Sequence, residues 1–305
     1  MSSPSAERSS LLPVVRVCDN VDLTGPVPPQ VPLFLSATSS FPVGHMFVPV
    51  FQQLVADIRE SVLPELDGLA SFPSSEGAAR VYFTDACTTF TERSAVMAAI
   101  AASWRGRGLF KDALGGWRDE LYTIYGPEDS TTAGADDCWG RNGAFALERA
   151  ACALFGVGTF GIHVNGFVET DDGETQVWVP RRSKTKQTFP SMLDQIVAGG
   201  LTHGLAPDVC VVKECAEEAS IPEDLVLERG RLKSAGVITY TTRVAEGWIQ
   251  PGALCRALLP SLLPLTDPSP SSETQYIYDL RLPSPVAFTP TPSDGEAESF
   301  EVRLR

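Results

Sequence analysis

Apolar and polar positions recur with a helical period of 3.6 residues over 207–219, the sequence PDVCVVKECAEEA. Pro207 suits the first turn of a helix because its missing N–H would have no partner there, and Asp208 complements the positive end of the helix dipole. The pattern therefore predicts a helix from Pro207 to Ala219. Spacings of three and four residues bring its apolar side chains to one side and its carboxylates to another. The predicted apolar set is Val209, Val212, Ala216 and Ala219, and the carboxylate set is Glu214, Glu217 and Glu218.

A loop with three glycines, Gly199, Gly200 and Gly204, precedes this helix. Glycine lets the backbone turn sharply or approach a ligand where a side chain would block it. Clustered carboxylates most often mark a solvated acidic face. Carboxylate oxygens are also the ligands that magnesium prefers, and magnesium is usually held by a few of them together with substrate phosphates. The loop and the helix are therefore predicted to form one site for magnesium and a phosphorylated ligand.

The segment from Gly199 to Ile221 resembles the Nudix box. That pattern is Gly, five residues, Glu, seven residues, Arg-Glu, an aliphatic residue, any residue, Glu-Glu, any residue, Gly and an aliphatic residue. Aligned on it, Gly199 opens the box, Glu214 follows the basic position, and Ile221 closes the box. Glu217 and Glu218 match the acidic pair. The departures from the pattern are Leu205 for Glu, Lys213 for Arg, Cys215 at the aliphatic site and Ser220 for Gly.

The resemblance implies that Glu214, Glu217 and Glu218 bind the metal ion, which is Mg2+ with Mn2+ as the alternative. It also implies that a glutamate accepts a proton from the attacking water, and Glu217 is the first choice. Lys213 joins the catalytic set because it keeps the charge of the family arginine, although it lacks the fork that could bind Glu217 through two donors. The later candidates, in the segment DGEAESF, are Glu296 and Glu298.

A basic run, RRSKTKQTFP at 181–190, follows a strand that is predicted to begin near residue 175, in a chain with a net charge of −14 and a pI of about 4.7. On its own, such a run is most often an exposed hairpin loop. Beside a metal site, cations are needed for the phosphate oxygens that magnesium does not neutralise. The acidic balance argues against nucleic acid as a partner because a broad positive surface is lacking. The predicted substrate-binding residues are Arg181, Arg182, Lys184, Lys186, Gly199 and Gly200, with Arg182 and Lys186 preferred.

Flanking segments resemble Nudix proteins related to thiamine pyrophosphokinase, which carry an extra N-terminal domain. These segments include GWRDELYTIYG at 116–126, ALERAACALFGV at 146–157 and GIHVNGFV at 161–168. The resemblance implies an α/β (α+β) protein, in which a Nudix α/β/α sandwich with a mixed sheet follows a smaller α+β N-terminal domain. It implies Mg2+-dependent hydrolysis of thiamine diphosphate, or of its oxidised or damaged analogues, to the monophosphate. The implied partner is a small-molecule diphosphate.

Other functions stay open beside this one. Another Nudix activity would hydrolyse nucleoside diphosphate derivatives or isomerise a prenyl diphosphate, although no cysteine and glutamate pair stands in the setting that the isomerase needs. A protein with the Nudix fold could also bind a diphosphate without turning it over. Leu205, Ser220 and an expected truncation of the C-terminus motivate this last alternative.

Composition and pattern predict an N-terminal segment with a Pro-rich linker at 1–35, a family-specific N-terminal domain at 36–160 and the Nudix domain at 161–305. Within the Nudix domain, the Pro- and Leu-rich segment 252–272 is interpreted as an insertion. The predicted helices lie at 48–66, 94–104, 146–156 and 207–219, and the predicted strands at 79–84, 161–168, 235–243 and 273–283.

Seven cysteines are present, and no pair has C-x-x-C spacing. Free thiols in a reducing compartment are predicted, and no apolar run reaches the roughly 18 residues that a membrane span needs. The expected location is the cytoplasm, with organelle targeting as the open alternative. The histidines His45, His163 and His203 are far apart, and no Gly-x-Ser-x-Gly motif is present, so nucleophilic catalysis is not predicted. His203 is interpreted as a solvated loop residue.

Overall fold

The computed structural model describes residues 29–72, 79–127, 142–186, 190–240, 242–243, 249–250 and 273–304. Two separate hydrophobic cores lie within these ranges, one formed by residues between 31 and 157 and the other by residues between 162 and 282. Most of the predicted N-terminal segment at 1–35 and the whole of the predicted insertion, 252–272, lie outside the described residues.

The first core is formed by six strands and four helices. The strands are β1 Gln30–Phe34, β2 Gly44–Phe47, β3 Leu69–Phe72, β4 Arg80–Phe83, β5 Leu121–Tyr125 and β6 Gly143–Glu148. The helices are α1 Val48–Glu60, α2 Phe90–Gly106, α3 Lys111–Leu114 and α4 Cys152–Phe155, with 3-10 turns at Pro64–Gly68 and Arg149–Ala151. Four of the strands form a mixed sheet in the order β2-β1-β4-β3, in which β1 and β4 are parallel. The other two, β5 and β6, form a separate antiparallel pair that packs against α2.

The second core is built on a mixed sheet of six strands. These are β7 Phe160–Glu169, β8 Thr175–Arg182, β9 Val197–Gly200, β10 Leu232–Tyr240, β13 Glu273–Arg281 and β14 Ala297–Leu304, and a separate two-residue pair is formed by β11 Thr242–Arg243 and β12 Ile249–Gln250. The sheet order is β10-β13-β7-β8-β14, and β9 pairs with β7 at residues 161–164. β13 runs parallel to β7, and the other pairs are antiparallel. The helices are α5 Pro207–Ala219 and α6 Glu223–Leu227. The predicted fold class is confirmed.

Local signals explain where the main helices begin and end. Thr89 and Glu92 form a capping box at the start of α2, because each side chain bonds to the other residue's backbone N–H at 3.2 and 2.9 Å. α5 spans the predicted residues, with Pro207 in its first turn. The residue after its end is Ser220, whose φ of 53° is the left-handed conformation that glycine adopts most easily.

Three predictions about elements are wrong. Residues 146–148 belong to β6, where all six residues are buried, and a short apolar run of this kind cannot be assigned to a helix or a strand by its period. Gln30–Phe34, placed in the linker, is a strand that pairs with β2 and β4. α5 buries Cys210, Val211 and Cys215, and Ala219 is the one member of the predicted apolar set that is also buried, whereas Val209 is 51% exposed.

The two cores meet between the β5–β6 hairpin and the loop that follows β9. The His203 backbone N–H donates to Leu121 O at 2.7 Å, and its Nδ1 lies 2.7 Å from Thr123 Oγ1. The imidazole also stacks on the ring of Phe90, with centroids 5.3 Å apart. His203 is therefore a contact between the two cores, which corrects its interpretation as a solvated residue.

Candidate metal and diphosphate site

The C-terminal end of α5 faces the turn that leads into β14. Glu218, Asp294 and Glu296 each present a carboxylate oxygen, and the three atoms lie within 4.8 Å of one another. Among the described residues, this is the one place where three or more candidate metal ligands lie this close together. Glu218 and Glu296 are half-buried, whereas Asp294 is exposed.

Backbone contacts hold this turn against the helix. Thr291 N–H donates to Ala219 O at 3.1 Å, and the Ser220 hydroxyl donates to Thr291 O at 3.0 Å. On the other side, Ser183 N–H donates to Glu296 O at 2.8 Å, so the turn is tied to the start of the basic loop as well. These bonds place acidic residues from two distant parts of the chain in one group.

The pKa values of two members of this group, Glu218 and Glu296, are shifted in opposite directions. Burial raises the pKa of Glu218 to about 9, and the negative charges of Glu296 and Glu214 add to the shift, although the Ala198 N–H donates to Glu218 Oε2 at 3.0 Å. Burial would also raise the pKa of Glu296, but the hydrogen bond and charge of Lys186 outweigh it and hold that pKa below its usual range. Burial therefore favours the neutral form of Glu218, whereas Lys186 favours the ionised form of Glu296.

Glu214 and Glu217 lie outside this group. Lys213 Nζ lies 2.9 Å from Glu214 Oε1 and 2.9 Å from Glu217 Oε2, so one ammonium binds both carboxylates. The side chain of Glu217 is 55% exposed, whereas Glu214 is buried beneath β9. Burial raises the pKa of Glu214, and its hydrogen bond to Lys213 opposes the shift. The ligand set of Glu214, Glu217 and Glu218 stays a prediction, and in this structure its members point to two different places.

The four predicted cations also separate into different contacts. Arg182 pairs with Asp194, and Lys186 pairs with Glu296. Both line an open cleft that is also lined by Glu218. Lys184 is exposed and lies 3.8 Å from Glu298, and Arg181 donates to Ser191 O at 2.8 Å. The preferred pair, Arg182 and Lys186, is therefore the pair that shares a cleft with the acidic group.

Comparison with known families gives this arrangement a context. Residues 159–298 match the NUDIX domain, and residues 45–159 match DUF4743, a domain of unknown function. The chain contains a Nudix domain. The DUF4743 match covers most of the first core, whose residues begin earlier, at Val31.

The relatives of the chain include proteins described as Nudix hydrolases. An uncharacterized protein of Saccharomyces cerevisiae is 34% identical over 61% of this chain and 47% of its own length. In Arabidopsis thaliana, Nudix hydrolase 24, chloroplastic, is 36% identical over 63% of this chain and 42% of its own length. Nudix hydrolase 20, chloroplastic, is 37% identical over 52% of this chain and 35% of its own length. The matches thus span less than half of each relative.

Sequence reasoning missed two carboxylates of the Nudix domain that the structure places at the site. Asp294 is the first residue of the segment DGEAESF, in which only Glu296 and Glu298 are predicted to act at the site. The glycine next to Asp294 indicates a turn, which is the signal that could have identified it. Asp194 pairs with Arg182 in the cleft, and no motif singled it out. Glu298, predicted as catalytic, lies outside the acidic group and beside exposed Lys184.

The structure gives a packing reason for both glycines at the end of β9. A Cβ at Gly199 would lie 2.5 Å from Glu214 Cδ, and a Cβ at Gly200 would overlap the hydroxyl of Tyr122, which is 6% exposed. Tyr122 belongs to the DUF4743 domain, so Gly200 lets the two domains approach closely. The predicted role of the two glycines in substrate binding stays a prediction.

We expect Gly200→Ala to lower the free energy of unfolding by roughly 1–3 kcal/mol, because the added methyl group overpacks the contact between the domains. Thermal unfolding measures the loss. Gly106→Ala is the matched control, since a Cβ at that helix end meets no atom within 4 Å. A Gly200→Ala protein as stable as the control would contradict the close packing of Gly200 against Tyr122.

Two further properties of the described residues bear on the sequence predictions. Cys87, Cys152, Cys210 and Cys215 are buried free thiols, as predicted. Across the described ranges, no helix combines the length and the apolar character that a membrane crossing requires.

Proposed function

We propose that the chain is a magnesium-dependent Nudix hydrolase that cleaves the diphosphate of thiamine diphosphate, or of its oxidised or damaged analogues, to the monophosphate. The observation that carries the diphosphate chemistry is the acidic group of Glu218, Asp294 and Glu296, because two of its members, Glu218 and Glu296, line one cleft with two basic residues. The matched Nudix domain and the Nudix hydrolases among the relatives support hydrolysis. The thiamine part rests on the resemblance of the flanking segments.

The acidic group fits a hard divalent cation. Its members supply carboxylate oxygens from two segments, and oxygen ligands are the preference of Mg2+. In the proposal Glu218, Asp294 and Glu296 hold the ion, and Glu214 and Glu217 remain the ligands that the family resemblance adds. Bound magnesium would draw charge from phosphate oxygens and lower the pKa of a bound water.

The remaining roles are proposed for two cations that line the cleft and for two side chains of α5 that lie outside it. Lys186 is largely buried beside Glu296, and Arg182 can offer two parallel N–H donors to phosphate oxygens. Glu217 is the proposed proton acceptor, since its side chain is half exposed and its Oε2 lies 2.9 Å from Lys213 Nζ. Lys213 is thereby proposed to position Glu217.

A substrate panel tests this proposal. Purified protein is incubated with Mg2+ or Mn2+ and with the diphosphates of thiamine, oxothiamine, a nucleoside and a prenyl alcohol, and release of the monophosphate is measured. We expect the thiamine-type compounds to give the highest kcat/KM and chelation to stop the reaction. A faster nucleoside substrate would overturn the thiamine assignment, and tight binding with no product from any compound would overturn hydrolysis.

A further inference from the structure

We propose that the DUF4743 domain supplies a substrate-binding residue to the Nudix site, and that this residue is Arg118, which binds the oxygens of the diphosphate. The inference rests on the proposed function, because it assumes that a diphosphate occupies the cleft beside Glu296. Arg118 Nη1 lies 3.6 Å from Glu296 Oε1. Lys186 binds the other oxygen of the same carboxylate. Glu296 thus marks a point where cations from both domains meet.

The backbone that carries Arg118 is fixed by a buried carboxylate. Glu148 is 3% exposed, and its two oxygens accept the backbone N–H groups of Arg118 and Glu120, each at 3.1 Å. Between these two residues Asp119 has a φ of 57°, in the left-handed region that non-glycine residues seldom adopt. The loop is therefore held in one unusual conformation.

The side chains on either side reinforce this loop. Trp117 Nε1 donates to Asp119 Oδ1 at 2.8 Å, and the guanidinium of Arg105 lies 4.6 Å from the centre of the Trp117 ring. Strained residues persist only where their surroundings hold them, and they concentrate at binding and catalytic sites. These contacts hold Arg118 in a position that faces the Nudix domain.

Docking of the two domains does not account for Arg118. The pair with Glu296 is long, and its side chains are 38% and 32% exposed, so it adds little to stability. The domains are joined more closely elsewhere, because Thr202 Oγ1 donates to Glu120 Oε1 at 2.9 Å and the His203 backbone N–H donates to Leu121 O at 2.7 Å. A half-exposed arginine beside an acidic site is better suited to a ligand than to the domain contact.

A diphosphate in this cleft needs a cationic side chain beyond Lys186 and Arg182. Lys186 is largely buried in its pair with Glu296, and Arg182 pairs with Asp194, so both preferred cations of the Nudix domain already contact carboxylates. A diphosphate carries more negative charge than one divalent cation neutralises. Arg118 adds a planar group with several N–H donors, which fits phosphate oxygens better than an ammonium does.

Binding of a non-hydrolysable ligand tests the proposal apart from turnover. Methylenediphosphonate is titrated calorimetrically into wild-type protein and into Arg118→Met and Arg118→Lys in the presence of Mg2+, and Mn2+ is titrated separately without the ligand. We expect Arg118→Met to raise the Kd for methylenediphosphonate about tenfold, and Arg118→Lys to raise it less, because lysine keeps the charge but not the fork. Affinity for Mn2+ alone should not fall in either variant.

The matched control is Arg281→Met, which removes an exposed arginine paired to Glu169 at 3.3 Å on the Nudix sheet. It should bind methylenediphosphonate as the wild type does. If Arg118→Met also binds as the wild type does, the assignment of Arg118 is overturned while the proposed function stands. If the wild-type protein itself fails to bind methylenediphosphonate, both are overturned. A loss of Mn2+ affinity in Arg118→Met would show that Arg118 acts by positioning Glu296 in the acidic group, and it would overturn a contact with phosphate.

Discussion

Replacing Glu218 with glutamine is expected to lower diphosphatase turnover by about two to three orders of magnitude, while the protein without metal becomes more stable at pH 8. The loss follows because Glu218 is the one residue shared by the ligand set predicted from the sequence and the acidic group in the structure, and that group is proposed to hold the metal ion. The gain follows because glutamine needs no proton to be neutral, and its amide oxygen can still accept the Ala198 N–H. Initial rates with Mg2+ and thermal unfolding in a chelator measure the two effects.

The sign of the pH dependence follows from the shift of Glu218. Its pKa is raised from 4.5 to about 9, first by burial and then by neighbouring carboxylates. Between these values the folded protein binds a proton that the unfolded chain has lost, so the free energy of unfolding falls as pH rises. The slope from this single group is at most about 1.4 kcal/mol per pH unit. Glu218→Gln should lack this part of the slope.

Glu217→Gln serves as the matched control for the stability effect. Glu217 is 55% exposed and paired with Lys213, so its replacement should leave the pH dependence of unfolding close to that of the wild type. Its proposed role as proton acceptor predicts that turnover is still lost. Identical pH dependence in Glu218→Gln and wild type would contradict the burial of Glu218, and full activity in both variants would contradict the metal and base assignments.

The helix that carries these residues shows what the sequence can specify. Its ends were predicted from Pro207 and from the change of pattern after Ala219, because local chemistry determines where a helix starts and stops. The buried face could not be predicted in the same way. Cys210 and Cys215 are buried, whereas Val209, which the period places on the apolar side, is 51% exposed. Gly199 leaves room beneath β9 for the carboxyl group of Glu214. Period alone cannot choose between two such faces.

The acidic group shows the same limit at longer range. Glu218 was predicted from its position in the box, but Asp294 reaches it through contacts between the turn at 291–294 and the end of α5. β14 then pairs with β8, which brings Glu296 to the basic loop. Contacts of this kind depend on sheet order, and the order β7-β8-β14 skips much of the chain. Likewise, no residue near Arg118 indicates that its loop faces another domain.

Replacing Asp57 with alanine is expected to lower the free energy of unfolding by about 3–5 kcal/mol, because it leaves buried donors without an acceptor. Asp57 is 4% exposed and lies on α1. It accepts from Trp104 Nε1 at 2.7 Å and from Arg107 Nη1 and Nη2 at 2.9 and 3.0 Å, and Gln53 donates to it at 2.8 Å. Trp104 is among the largest fully buried side chains of the first core.

Chemical denaturation of Asp57→Ala and of the exposed control Asp85→Ala measures this loss, and the control should change by less than about 0.5 kcal/mol. Burial would raise the pKa of Asp57, but hydrogen bonds from Arg107, Trp104 and Gln53 outweigh it and lower the pKa below 3.8. The contribution of this ionised group is therefore complete above pH 3.8 and is lost as pH falls through the lower folded value. Asp57→Ala should unfold less steeply with acid over that range, and a variant as stable as Asp85→Ala would show that the network does not hold α1 to α2. Because the same domain carries Arg118, destabilising it should also weaken diphosphate binding at temperatures where it begins to unfold.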